Sequence, residues 1–133
     1  MHPNREGADS SRTFNPRQSL SEPETLYAYM YSIAMSTAPS REAAVALARA
    51  LVDQRLAACV NILPCTSVYR WEGEVQQEDE HLMVIKTRRT YMDDIRDLLD
   101  GEHPYDLPEL VSIEVEDGSA PYLKWMRDMT RVR

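Results

Sequence analysis

The chain has 133 residues, 43% hydrophobic and 28% charged, enough apolar material for one domain with a real core and too little length to require a second. A net charge of −7, with Lys and Arg scattered among acids, argues against the clustered basic stripe of a nucleic-acid surface, and no run has the length to cross a membrane as a helix. Cys59 and Cys65 are the only cysteines, and their spacing fits neither a zinc site nor a disulfide framework, which points to reduced thiols in a cytoplasmic protein.

Residues 1–23 mix prolines, serines and charges with only Phe14 and Leu20 as large apolar side chains, so a flexible leader is expected ahead of a domain over 24–133. Thr25 to Met35 is nearly continuous in apolar character, the pattern of a central strand, and Ala38-Pro39 ends it. Ser40 sits where an N-cap belongs. Ala44, Leu47, Ala48 and Leu51 recur at helical spacing and predict a helix from Arg41 to Leu56.

Leu56 to Thr87 reads as one oversized β-hairpin turning at Glu72-Gly73. Its return arm, Glu74 to Thr87, would span about 45 Å if extended, whereas the preceding helix would cover only about 24 Å. The far end, with Tyr69, Trp71 and Val75, is therefore expected to need a second chain. Pro64 predicts a bulge or kink in the first arm. Gln76 to Glu80 reads as solvent-exposed, and His81 as a solvent-facing partner of Glu80.

Thr90 and Asp93 predict the start of a second helix with an apolar face of Met92, Ile95, Leu98 and Leu99, closed by Gly101. A proline-stiffened loop, HPYDLPE from His103 to Glu109, precedes a half-buried strand over Leu110 to Val115. Gly118-Ser119 then turns the chain, and Pro121 opens a last helix whose inward face is Tyr122, Met126 and Met129. The order is β-α-β-β-α-β plus a C-terminal helix, an α+β fold of the ferredoxin-like, split βαβ type.

There is no glycine-rich phosphate loop, no GxSxG elbow and no HExxH motif, and no substrate suggests itself for a cysteine-histidine pair, so no enzyme is expected. The densest donor cluster is His103, Tyr105, Asp106 and Glu109, whose imidazole and carboxylates suit Cu²⁺ or Zn²⁺. The competing role for His103 is to cap the helix before it, where an imidazolium favours the dipole.

Three blocks stand in order: STAPS (Ser36 to Ser40), AACVNILPCTSVYRWEGEV (Ala57 to Val75) and HPYDLPEL (His103 to Leu110). Together they resemble the CutA family of divalent-cation-tolerance proteins over roughly residues 26–129. The resemblance implies a homotrimer of ferredoxin-like subunits, similar in fold to the PII signalling proteins, whose strands continue one another. It also implies a part in tolerance or homeostasis of copper and other divalent metals, with weak cation binding, no organic cofactor and no nucleic-acid or membrane partner. The histidine and glutamate of the family's HPYxxPE element fall on His103 and Glu109, already candidates by ligand chemistry, with Asp106 and Ser36 as supporting candidates. Some bacterial members carry a copper-serving cysteine where this chain has Ser36, a poorer ligand for Cu(I). Tyr69, Trp71, Val75 and Tyr105 are expected at the trimer contact. The alternative is a PII-like trimeric small-molecule sensor or assembly scaffold, with Arg70, Lys86, Arg88 and Arg89 as cations for a small anion.

Overall fold

The structure is a computed structural model that describes residues 30–130. The expected leader, and residues 25–29 of the expected first strand, lie outside that range. Strand β1 spans Tyr31–Ala38 and ends, as expected, at Pro39, which has no amide to donate. Ser40 accepts a hydrogen bond from the Ala43 amide at 3.1 Å and starts helix α1, Arg41–Asp53. The helix stops short of Leu56 because Arg55 takes a left-handed φ of 60°. Leu56 then turns into the core, its amide bonded to the Leu51 carbonyl at 2.9 Å.

The hairpin is present as read: β2 (Cys59–Trp71) and β3 (Glu74–Arg88) pair in register from Cys59↔Lys86 to Trp71↔Glu74. Glu72 and Gly73 have φ of 51° and 83°, the doubly left-handed turn whose twist matches that of the strands it joins. Pro64 produces no bulge, since the pairing passes Pro64↔His81 without a slip. β2 is an edge strand, where a missing amide is tolerated.

A 3₁₀ turn (Arg89–Tyr91) leads into α2 (Met92–Glu102), so Thr90 is not the cap expected, and no side chain caps either start. Gly101 does not close the helix. It lies in the last turn without a positive φ, and the chain leaves at His103, held extended by the proline that follows. β4 is Val111–Glu114, and α3, Ala120–Met129, begins as expected with Ser119 accepting from the Tyr122 amide at 3.3 Å. The inward face of α3 is Leu123 and Met126, whereas Met129 is exposed.

The strands form one antiparallel sheet in the order β2-β3-β1-β4, the ferredoxin-like arrangement. One face carries Ala34, Ala38, Met83 and Ile85 against Ala44, Leu47 and Leu51 of α1 and Ile95, Leu98 and Leu99 of α2. The other face is covered at one end only, where Leu123 and Met126 of α3 pack on Tyr31 and Ala58. Arg88 fixes that end: it donates from Nε to Thr130 Oγ1 at 3.0 Å and from Nη2 to the Thr130 carbonyl at 3.0 Å.

Candidate functional site

Alternation along β1 decides where His103 binds. Met30 accepts from the Arg89 amide on the β3 side and Tyr31 accepts from the Val115 amide on the β4 side, so odd-numbered carbonyls of β1 face β4. β4 pairs only as far as Met35↔Val111, which leaves the Thr37 carbonyl beyond its end. The His103 imidazole takes that place, donating from Nε2 to Thr37 O at 2.8 Å. Its Nδ1 accepts from the Tyr105 amide at 3.0 Å, so the two partners fix a neutral ring protonated at Nε2. The expected helix-capping imidazolium is not what forms: His103 bonds to the Leu99 carbonyl through its backbone amide, while its ring, 9% exposed, bridges α2 to β1.

Tyr105 continues from that bridge round the end of β1 and donates its hydroxyl to Glu80 Oε2 at 2.8 Å. Burial first, then this bond and the nearby charges of Glu80 and Glu78, push the Tyr105 hydroxyl well above the usual phenol range. Tyr69 is raised as well, chiefly by its hydrogen bond with Glu78. Glu80, expected in solvent, is 7% exposed beneath Tyr105. His81 is not its partner, because neighbours on a strand point to opposite faces. It faces the helices beside Met83 and Ile85, with Nδ1 buried and without a hydrogen-bond partner. The period-two pattern of β3 held that signal, which the charge of the DEH run obscured.

Of the residues expected at a metal centre, Glu109 and Asp106 are exposed on the loop that His103 begins. Ser36 is fully buried on the helix-facing side, its Oγ without a hydrogen-bond partner and out of reach of solvent. Among the described residues, no three His, Cys, Asp or Glu side chains gather where they could hold a metal ion within one subunit. Both cysteines are free and half-buried, and Cys59 lies opposite Lys86 on the less covered face.

The cations considered for a small anion are largely committed. Lys86 donates to the Tyr122 hydroxyl at 3.3 Å, Arg88 holds Thr130, and Arg70 at the hairpin tip donates to the Gly73 carbonyl at 3.0 Å. Arg89 lines a cleft of about 660 Å³ with Arg96, but Asp93 and Glu114 line it too, so it offers no net positive field.

The sheet face away from α1 and α2 is the other conspicuous feature. Leu63, Tyr69, Trp71, Val111 and Ile113 all lie on it and are between 37% and 56% exposed. Val68 and Val75, on the opposite face of the hairpin tip, are each 64% exposed. Tyr69, Trp71 and Val75, expected to need a partner, are thus left uncovered by their own subunit, while Tyr105 is half-buried against Glu80.

Comparison with known proteins bears on both features. A sequence model of the CutA1 divalent ion tolerance protein family matches residues 32–129. Protein CutA, chloroplastic, from Arabidopsis thaliana is 44% identical over 96 residues, 71% of this chain and 53% of that protein. Protein CutA from Homo sapiens is 42% identical over 100 residues, 74% of this chain and 56% of that protein, so the match spans little more than half of these two relatives. The divalent-cation tolerance protein CutA of Thermus thermophilus is 42% identical over 102 residues, 76% of this chain and 99% of that protein. Among solved structures, the Thermus protein superposes with a TM-score of 0.75 at 42% identity, covering 77% of this chain and all of that one. The periplasmic divalent cation tolerance protein CutA of Archaeoglobus fulgidus gives 0.75 at 35% identity, with 77% of this chain and 100% of that one covered.

Proposed function

The chain belongs to the CutA1 divalent ion tolerance family, and from that membership we propose that it acts in divalent-metal tolerance as a homotrimer that binds cations such as Cu²⁺ or Zn²⁺ weakly and without catalysis. The observation that carries the metal reading is the neutral imidazole of His103, whose accepting Nδ1 lies on the loop that also bears Asp106 and Glu109. Imidazole and carboxylate suit a borderline divalent ion, so the donor chemistry fits. A cation at Nδ1 competes with the Tyr105 amide, and among the described residues no three such ligands are gathered; both lower affinity. Ser36 is too deeply buried to assist.

The trimer is supported by the uncovered sheet face and by the free outer edge of β2, which identical neighbours can complete. Two free thiols favour a reducing compartment, and we place the protein in the cytoplasm. Among the described residues no helix is long and apolar enough to cross a membrane.

Calorimetric titration with Cu²⁺ and Zn²⁺ tests the metal site. Wild type should bind weakly, and His103→Ala and Glu109→Ala should each lose roughly tenfold in affinity. Isotherms identical to wild type would remove both residues from the site. The alternative, a PII-like sensor or scaffold, predicts thermal stabilisation by nucleotides or organic acids and none by metals.

A further inference from the structure

We propose that the cleft between the start of α2 and the β1–β4 edge of the sheet binds a small zwitterion of the α-amino-acid class. Arg89, Arg96 and the Ser32 hydroxyl take its carboxylate, and Glu114 and Asp93 take its ammonium. The cleft lies at the opposite end of β1 from the His103 loop, so its occupancy is independent of the cation reading above.

Ser32 is the residue that points to a ligand. It is 4% exposed, yet among the described residues its hydroxyl has no hydrogen-bond partner, an arrangement that costs free energy until something supplies one. Pairing places it on the helix-facing side of β1, directly opposite Thr87 on β3 and Glu114 on β4. The cleft of about 660 Å³ opens on that side, and Ser32 lines it. Ser36, four residues along on the same face, is also without a partner but fully buried, so no ligand reaches it.

Strand order divides the charges around that hydroxyl. Arg89 follows the end of β3, its amide on the Met30 carbonyl, and Glu114 lies on β4, so a cation and an anion flank β1 on strands about 10 Å apart. On α2, Ile95, Leu98 and Leu99 take the core side, which leaves Met92, Asp93 and Arg96 on the flank toward the cleft. The 3₁₀ turn and α2 both begin without a side-chain cap, so backbone amides add to the positive side. A simple anion meets Asp93 and Glu114 here, a simple cation meets Arg89 and Arg96, and an uncharged ligand displaces water from all four charges without replacing it. A carboxylate and an ammonium on one small molecule answer both signs, and the thioethers of Met30 and Met92 offer its side chain an apolar contact. Arg96 and Asp93, paired at 2.6 Å, exchange one ionic partner for another, which keeps the dissociation constant on the order of 1 mM.

Titration of the full chain with glycine and with L-methionine, followed by backbone amide NMR shifts, tests this. Saturable shifts should centre on Ser32, Arg89, Arg96 and Ser112. N-acetyl-L-methionine, which lacks the ammonium, and L-methioninamide, which lacks the carboxylate, should each bind at least about tenfold more weakly than L-methionine. Ser32→Ala should bind about three- to tenfold more weakly while keeping or slightly raising the thermal midpoint, since it removes a hydroxyl that the free protein leaves unsatisfied. No saturable shift with either amino acid, shifts centred elsewhere, or a one-charge analogue binding as tightly as the zwitterion would overturn the proposal. So would a Ser32→Ala variant with a lowered midpoint and wild-type affinity, because the hydroxyl would then serve the fold and not a ligand.

Discussion

At one end of the sheet, Ala34, Ala38, Met83 and Ile85 are completely buried under α1 and α2; at the other, the same β2 and β3 carry Val68, Trp71 and Val75 at 64%, 48% and 64% exposure. The two regions share β2 and β3 in one unbroken register, but β1 accompanies β3 only from His81 to Arg88, and the helices lie over that end alone. Helix α1, at 13 residues, is about 20 Å long, while β3, at 15 residues, spans about 50 Å. A helix rises less than half as far per residue as a strand, so a hairpin of this length outruns any helix of similar residue count. The covered end folds as a self-sufficient body, and the uncovered end presents apolar side chains and a free edge that an isolated subunit cannot satisfy.

Substitutions at the two ends should therefore read out differently. Leu51→Ala, in the covered end and fully buried, should cost about 2–5 kcal/mol in urea denaturation of the subunit. Trp71→Ala should cost the subunit itself less than about 1 kcal/mol and show its effect in association. Equal losses of subunit stability at both positions would break the distinction.

A smaller effect belongs to the loop after α2, whose Tyr105 packs on Glu80 where the two regions meet. The Tyr105 hydroxyl titrates above its unfolded value, so it contributes stability that is fully present below pH 10 and is lost as pH rises from 10 through the higher folded value. Thermal unfolding of Tyr105→Phe should consequently have a flatter alkaline limb than wild type above pH 10, and the same slope near neutrality. The smallest effect belongs to the hairpin tip, where Glu72 holds a left-handed φ of 51°. Glu72→Asn, which tolerates that conformation better, should raise stability by about 0.5 kcal/mol. A loss there would mean that the Glu72 side chain contributes a contact of its own.

Much of the local structure at both ends was legible in residue pattern. Ser40 before a run of Ala and Leu, Glu72-Gly73 between two β-rich arms, and Ser119 ahead of Pro121 each specify a local conformation whatever the rest of the chain does. Boundaries set by tertiary contact were less legible. The end of α1 is decided by Arg55 going left-handed so that Leu56 can enter the core, and the start of α2 by a 3₁₀ turn that no sequence cap announces. The candidate site lay between these cases. His103, Asp106 and Glu109 stood out as donors on one loop, but that His103 would complete the β1 ladder depended on β4 stopping at Val111, which pairing across the sheet decides. Glu80 was misjudged for a related reason: an acidic run reads as solvated, and only the reach of Tyr105 from 25 residues away buries it.

The most direct test of the claim that this chain covers one end of its sheet itself and completes the other with its own copies is its mass in solution, measured by light scattering at micromolar concentration. Each chain is 15.3 kDa. A particle of three chains, reduced toward one by replacing Trp71 with lysine, is the predicted result. A stable, soluble monomer with Tyr69, Trp71 and Val75 facing water would contradict it.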